Sequence, residues 1–247
     1  MSDPALRVLY QDHAAIALDK PAGMLSVPGR GGAQEMTEPA LSVLVRALAP
    51  SALPVHRLDR GTSGVLLFAI GRDAHRALNL AFESRRAEKR YLALVRGDFA
   101  APVHCSLPIA EGRRGGMRAV GPGEDGHGAQ PALTDVSPAE RFGGFTLVEA
   151  RPKTGRTHQV RVHLAALGYP LALDERYGED LPLSAGDLYP GAPAPERTVL
   201  TRTPLHAAAL RVPHPGGRGW LSIESPLPED LAECLELLRA ARRAASG

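Results

Sequence analysis

Apolar positions along the chain change their period several times, and each change marks an element. In residues 6–18, LRVLYQDHAAIAL, apolar residues cluster on either side of Gln11 and Asp12, which predicts two short strands about a turn. KPAGMLSVPG follows as a turn-rich loop. Leu41, Val45 and Leu48 recur at helical spacing within residues 37–49, and Pro50 supplies the stop. Residues 65–70 are an unbroken apolar run, the pattern of a strand buried on both faces. Residues 73–86 read as a helix, with Asp73 as N-cap and Ala77, Leu80 and Ala81 on its apolar face. Strands are expected at 91–95 and 145–150. Beyond them Thr157 can cap a helix whose Val160, Leu164 and Leu167 face the core and which Gly168 ends. The remainder predicts strands at 205–212 and 220–223 and a last helix over 228–243.

Two stretches, 112–131 and 178–197, are rich in Gly, Pro and charge and read as mobile connections. Neither separates segments that look self-sufficient, and no internal repeat occurs, so one domain is expected. Strands and helices mix without a strict βαβ rhythm. That implies an α+β class with a largely antiparallel mixed sheet and flanking helices.

Composition narrows the functions. The 247 residues can bury a sizeable core, and 44% apolar with 23% charged residues excludes wholesale disorder. Basic residues outnumber acidic ones by 29 to 27, so no global positive field announces a nucleic-acid partner. Five Phe, five Tyr and one Trp are too few for a surface that stacks base after base on ring platforms. Cys105 and Cys234 are far apart in unlike contexts, and no apolar run approaches the roughly 18 residues of a membrane span. A cytoplasmic protein without membrane attachment is expected. All but three of the basic residues are Arg, which suits bidentate phosphate contacts.

Local charge tells more than the sum. Residues 56–64, HRLDRGTSG, place Asp59 between Arg57 and Arg60 in a polar turn directly before the buried strand. Two readings are open: Asp59 caps the turn beside surface arginines, or it is a carboxylate kept ionised by adjacent cations and available as a nucleophile. Residues 154–164, TGRTHQVRVHL, bring His158 and Arg161 to one helical face, with Arg156 just before the helix. Between Arg151 and His163 lie four basic residues and no acid. His158 and His163 are a weak metal pair, since neither Cys nor carboxylate accompanies them. Gly-rich phosphate loops of the Walker or dinucleotide type are absent.

HRLDRGTSG, then KRYLALVRG at 89–97 and GRTHQVRVHLAALGYPLALDERYG at 155–178, in that order, closely resemble the RluA-type RNA pseudouridine synthases. KPAG at 20–23, LHAAAL at 205–210 and SPLPEDL at 225–231 look like that family's flanking signatures, so the resemblance covers nearly the whole chain. It implies the pseudouridine synthase fold with a central RNA-binding cleft. It also implies the activity: the N-glycosidic bond of a target uridine is broken, and the uracil is turned and rejoined to the ribose through carbon 5. Asp59 is then the essential carboxylate, Tyr91 the ring that packs on the target base, and Arg161 the cation that pairs with Asp59. Arg57 and Arg156 are the candidate phosphate contacts, with His56, Thr62 and His158 as further RNA contacts. No cofactor and no metal are implied, because the reaction is a redox-neutral isomerisation.

Gly61 and Leu173 depart from the residues common in that family beside the same motifs. The chain begins at the catalytic domain, with no preceding S4-type RNA-binding module, which favours tRNA over rRNA as the substrate. A monomer without an obligatory protein partner is expected. The alternative is a non-catalytic RNA-binding or RNA-folding protein on the same scaffold, which has no need of the Asp59, Tyr91 and Arg161 set.

Overall fold

The computed structural model describes residues 6–28, 39–112, 116–217 and 219–245. Residues 37 and 38 of the first expected helix lie outside them. The chain forms two compact units, one of Met1–Arg90 with His206–Pro226 and the other of Tyr91–Leu205 with Leu227–Gly247.

The first unit opens with β1 (Arg7–Gln11) and β2 (Ala15–Lys20), joined through Asp12, whose carboxylate accepts the backbone N–H groups of Ala14 and Ala15. After α1 (Ala40–Ala47) and the short β3 (Ala52–Pro54) comes β4 (Ser63–Ile70), buried at all but its last residue. β4 runs antiparallel to β2 on one side and to β3 on the other. Val65, Leu67 and Ala69 share one face of β4 and pack in a cluster with Ala74 and Leu78 of α2 (Arg72–Glu83). Asp73 does not cap α2. The N-cap is Gly71 at φ 85, a backbone setting that glycine adopts without strain, and Asp73 sits in the first turn, where its charge favours the helix dipole.

The second unit is built on β5 (Glu88–Arg96), β6 (Val103–Cys105), β9 (Thr134–Arg141) and β10 (Phe145–Pro152), antiparallel in the order β5, β10, β9, β6. Alternation divides the two faces. Ala93, Val95, Val148 and Ala150 pack with Val160 and Leu164 of α3 (Gln159–Ala166). Leu94 and Leu147 pack instead with Leu231, Leu235 and Leu238 of the C-terminal helix α5 (Glu229–Ala245).

Both stretches expected as connections are partly folded. β7 (Ile109–Glu111) pairs with β8 (Met117–Ala119), and Ile109 also bridges Gln130. β11 (Leu183–Ser184) pairs with β12 (Thr198–Leu200), and α4 (Ala185–Leu188) between them carries a reciprocal Ser184 and Asp187 capping box.

The chain then returns to the first unit as β13 (Leu205–Pro213) and β14 (Trp220–Glu224). Their pair is antiparallel, whereas the first residues of β13 lie parallel to the start of β4. The class is α+β with a largely antiparallel sheet, as expected. Among the described residues no helix is long and apolar enough to cross a membrane.

Candidate active site

Asp59 is half-buried on the loop between β3 and β4, and the residues on both sides of it are clamped. Ser26 Oγ accepts the Leu58 N–H and donates to the Leu58 carbonyl, both at 2.9 Å. On the other side the Arg60 carbonyl accepts the Gly23 N–H at 2.8 Å, and Arg60 Nε donates to the Gly23 carbonyl at 3.0 Å. Lys20 is wholly buried, and its Nζ reaches the carbonyls of Pro21 and Met24 at 2.8 Å and of Arg60 at 3.3 Å. The Thr62 N–H closes the turn on the Asp59 carbonyl at 3.1 Å. KPAG is therefore the cradle of the Asp59 turn. The loop's path is set before any substrate arrives, which is what a reacting group held at fixed geometry requires.

Two of the expected RNA contacts in this motif have partners within the protein. His56 Nε2 accepts the Leu67 N–H at 2.9 Å, extending the β3 pairing to β4 by one side chain, and its ring stacks on Phe82. Burial, aided by the Lys89 charge, holds the imidazole down at about 3, so it stays a neutral acceptor. Thr62 is 2% exposed. Arg57 is exposed, as a backbone contact needs to be.

The second unit carries the other set. Tyr91 stands on β5 opposite Ala150 and is partly buried against the cluster that includes Val160 and Leu164. Arg161, on α3, is 6% exposed and grips Asp174 with two bonds, Nε to Oδ2 at 2.7 Å and a terminal nitrogen to Oδ1 at 2.6 Å. Asp174 also accepts the backbone N–H groups of Arg176 and Tyr177. Burial alone would raise its carboxyl, but these donors outweigh it and hold it below the ordinary value. The Arg161 guanidinium lies 5.1 Å from the Tyr177 ring centre. Tyr177 Oη accepts the Met117 N–H at 3.0 Å and lies 2.8 Å from His158 Nδ1, so β8, the start of α3 and the 174–178 loop meet at one hydroxyl.

Thr157 is not the cap of α3. His158 takes the N-cap position in the left-handed region at φ 55, and the turn before it is held by Gln159. Gln159 Oε1 accepts from Thr154 Oγ1 and the Arg156 N–H, while Nε2 donates to the Leu133 carbonyl and Thr134 Oγ1. Arg156 is half-buried, with Nε on the Pro131 carbonyl at 3.1 Å. His163 is a core histidine: Nε2 donates to the Leu107 carbonyl, Nδ1 pairs with Thr134 Oγ1, and burial lowers its pKa.

Sequence reasoning missed Asp174, Gln159, Lys20 and Ser26. The signals were present for two of them: an Asp that directly follows the apolar stretch 171–173 in LALDERYG, and one of only three lysines opening KPAG.

A family model described as RNA pseudouridylate synthase matches residues 14–166, which include Asp59, Tyr91 and Arg161. The chain belongs to this family. Pseudouridine synthases are isomerases that convert uridine to pseudouridine in RNA, and this member is 39% identical over 243 residues to the ribosomal large subunit pseudouridine synthase C of Escherichia coli, across 95% of this chain and 70% of that protein. The Haemophilus ducreyi protein of the same name is 38% identical over 94% of this chain and 69% of its own. Among solved structures, human RNA pseudouridylate synthase domain containing 1 superposes with a TM-score of 0.70 at 29% identity, covering 99% of this chain and 97% of that one. Human RNA pseudouridylate synthase domain containing 4 gives 0.72 at 23%, covering 94% and 93%, and shares the fold.

Proposed function

We propose that this synthase isomerises uridines of large-subunit ribosomal RNA, with Asp59 as the essential carboxylate. The chain's 39% identity over almost its whole length to an enzyme named for that RNA carries the substrate class. The tRNA preference expected from the sequence finds no support among these relatives, and a purely RNA-binding role is not favoured. Tyr91 is assigned to the target base and Arg161 to keeping Asp59 ionised and aimed. The family's motif set supports these roles, since the matched region includes all three residues.

The target base must leave its stack, at a cost of a few kcal/mol, which backbone contacts from Arg57 and Arg156 help to offset. The C1′–N1 bond breaks and a C1′–C5 bond forms. The C5 proton is lost and N1 gains one, so the balance needs no redox partner. A retained base also explains why one carboxylate suffices where glycosidases that admit water use two.

The test uses a large-subunit rRNA transcript tritiated at uridine carbon 5. Wild type is expected to release tritium and Asp59→Asn to release none. Equal release by both proteins removes Asp59 from the chemistry, and release from tRNA but not from this transcript overturns the substrate class.

A further inference from the structure

β4 and β13 meet directly after the Asp59 turn. Ser63 lies opposite His206 and Gly64 opposite Ala207 in their parallel pair. Gly64 has φ +111, and a Cβ there would stand 2.3 Å from the Ala207 carbonyl oxygen, so the strands are pressed together where no side chain fits between them. Beside this contact Ser63 Oγ lies 3.0 Å from His206 Nδ1, and His206 is 1% exposed. His206 Nε2 lies 3.3 Å from the Ser225 carbonyl oxygen. A carbonyl only accepts, so Nε2 carries the hydrogen, Nδ1 accepts, and the Ser63 hydroxyl donates. Ser225 Oγ in turn donates to Asp19 Oδ1 at 2.8 Å, which fixes the far end of the chain of bonds on β2.

We infer that His206 is a positioning residue for Asp59, acting by holding the Ser63 hydroxyl at the strand end from which the Asp59 turn is suspended. The inference rests on the reading of Asp59 as the essential carboxylate. The path is short: Ser63 adjoins Thr62, whose N–H closes the turn on the Asp59 carbonyl. Ser26, Gly23 and Lys20 hold the turn from the N-terminal side, and His206 holds it from a segment 143 positions beyond Ser63. A fully buried imidazole is a poor space filler beside an aliphatic side chain unless both nitrogens are bonded, as these are. What it adds over such a side chain is direction, because its two ring nitrogens bond at fixed angles to β4 and to the residue that follows β14.

The experiment measures single-turnover tritium release from the same rRNA transcript, RNA affinity by filter binding, and urea midpoints. It compares wild type, His206→Leu, His206→Gln and Ser63→Ala. His206→Leu and Ser63→Ala are expected to lower the maximal rate by about 10- to 100-fold while RNA affinity changes less than about twofold. A Gln oxygen can accept from Ser63 while its nitrogen donates to the Ser225 carbonyl, so His206→Gln is expected to stay within about threefold of wild type.

The inference is overturned by a wild-type rate in folded His206→Leu or in Ser63→Ala, by a loss confined to affinity, or by a Gln variant that is folded yet no better than Leu. If His206→Leu fails to fold, a lowered rate in Ser63→Ala with a retained rate in His206→Gln supports the inference, and any other combination refutes it. A wild-type protein that releases no tritium removes the reading of the function itself, and the wild-type measurement alone distinguishes that case.

Discussion

Asp174→Ala isolates what holds Arg161 in place. Both side chains of the pair are out of water, at 7% and 1% exposed, so removing the carboxylate leaves a guanidinium buried without its two-bond partner. Breaking a buried pair in this way costs about 3–5 kcal/mol. The backbone N–H groups of Arg176 and Tyr177 lose their acceptor as well, which places this variant toward the upper end of that range. For a chain of this size the same loss lowers the thermal midpoint by about 6–20 °C. Replacing both partners, Arg161→Met with Asp174→Leu, leaves neither charge of this pair buried alone and is expected to recover part of the stability, the Arg176 and Tyr177 N–H groups still lacking their acceptor, while remaining inactive.

The pH dependence has a definite sign. The folded carboxyl is held below its ordinary value of 3.8, because the Arg161 and backbone donors outweigh the upward push of burial. The unfolded chain therefore takes up this proton first, and the contribution, complete above about pH 4, is lost as pH falls through the folded value. Urea unfolding followed by circular dichroism should show the gap between wild type and Asp174→Ala at pH 7 and its narrowing toward pH 3. A gap under about 1 kcal/mol at pH 7, or one that widens on acidification, refutes the reasoning.

Two further outcomes follow from the same structure. The His56 ring should show no titration by NMR between pH 8 and 5, because burial and the Lys89 charge hold it at about 3; the unfolded ring binds its proton near 6.5, so urea midpoints should fall as pH drops below that value. A ring titrating near 6.5 contradicts its place in the sheet. Gly64→Ala should destabilise by more than about 3 kcal/mol and yield little soluble protein, since the new methyl meets the Ala207 backbone at φ +111; a variant with a wild-type urea midpoint would show that β13 can retreat from β4.

Elements whose burial is one-dimensional were legible in the sequence. The run at 65–70 is apolar because both faces of β4 are covered, and α2 shows its period because one side faces the sheet. β6, β7, β8 and β12 are three residues each, too short for any period to emerge, and β9 alternates against Ser, Pro and Glu rather than a clean apolar stripe. In the site, the residue types that carry chemistry stood out, but their supports did not. Asp174 serves Arg161 from a loop 13 positions on, and Ser26 clamps Leu58 from 32 positions away, separations that no local pattern encodes. His56 and Thr62 show the converse limit. A polar residue in a motif can face the sheet or the solvent with the same sequence around it; the Leu67 N–H turns His56 inward and burial alone marks Thr62.

The first unit is assembled from two segments separated by 115 residues of the other unit, and this bears on the protein's synthesis. When residue 90 leaves the ribosome, β4 has β2 and β3 beside it, but its edge at Ser63 and Gly64 still lacks β13. That edge stays open, and the turn carrying Asp59 lacks the His206 bond, until the segment ending at Pro226 has been made. At ordinary elongation rates of about 5–20 residues per second this interval lasts on the order of ten seconds. A nascent chain therefore carries the finished Asp59 motif well before the β4 edge beside it is covered, so the first unit completes its sheet only after the whole of the other unit's long segment has been made.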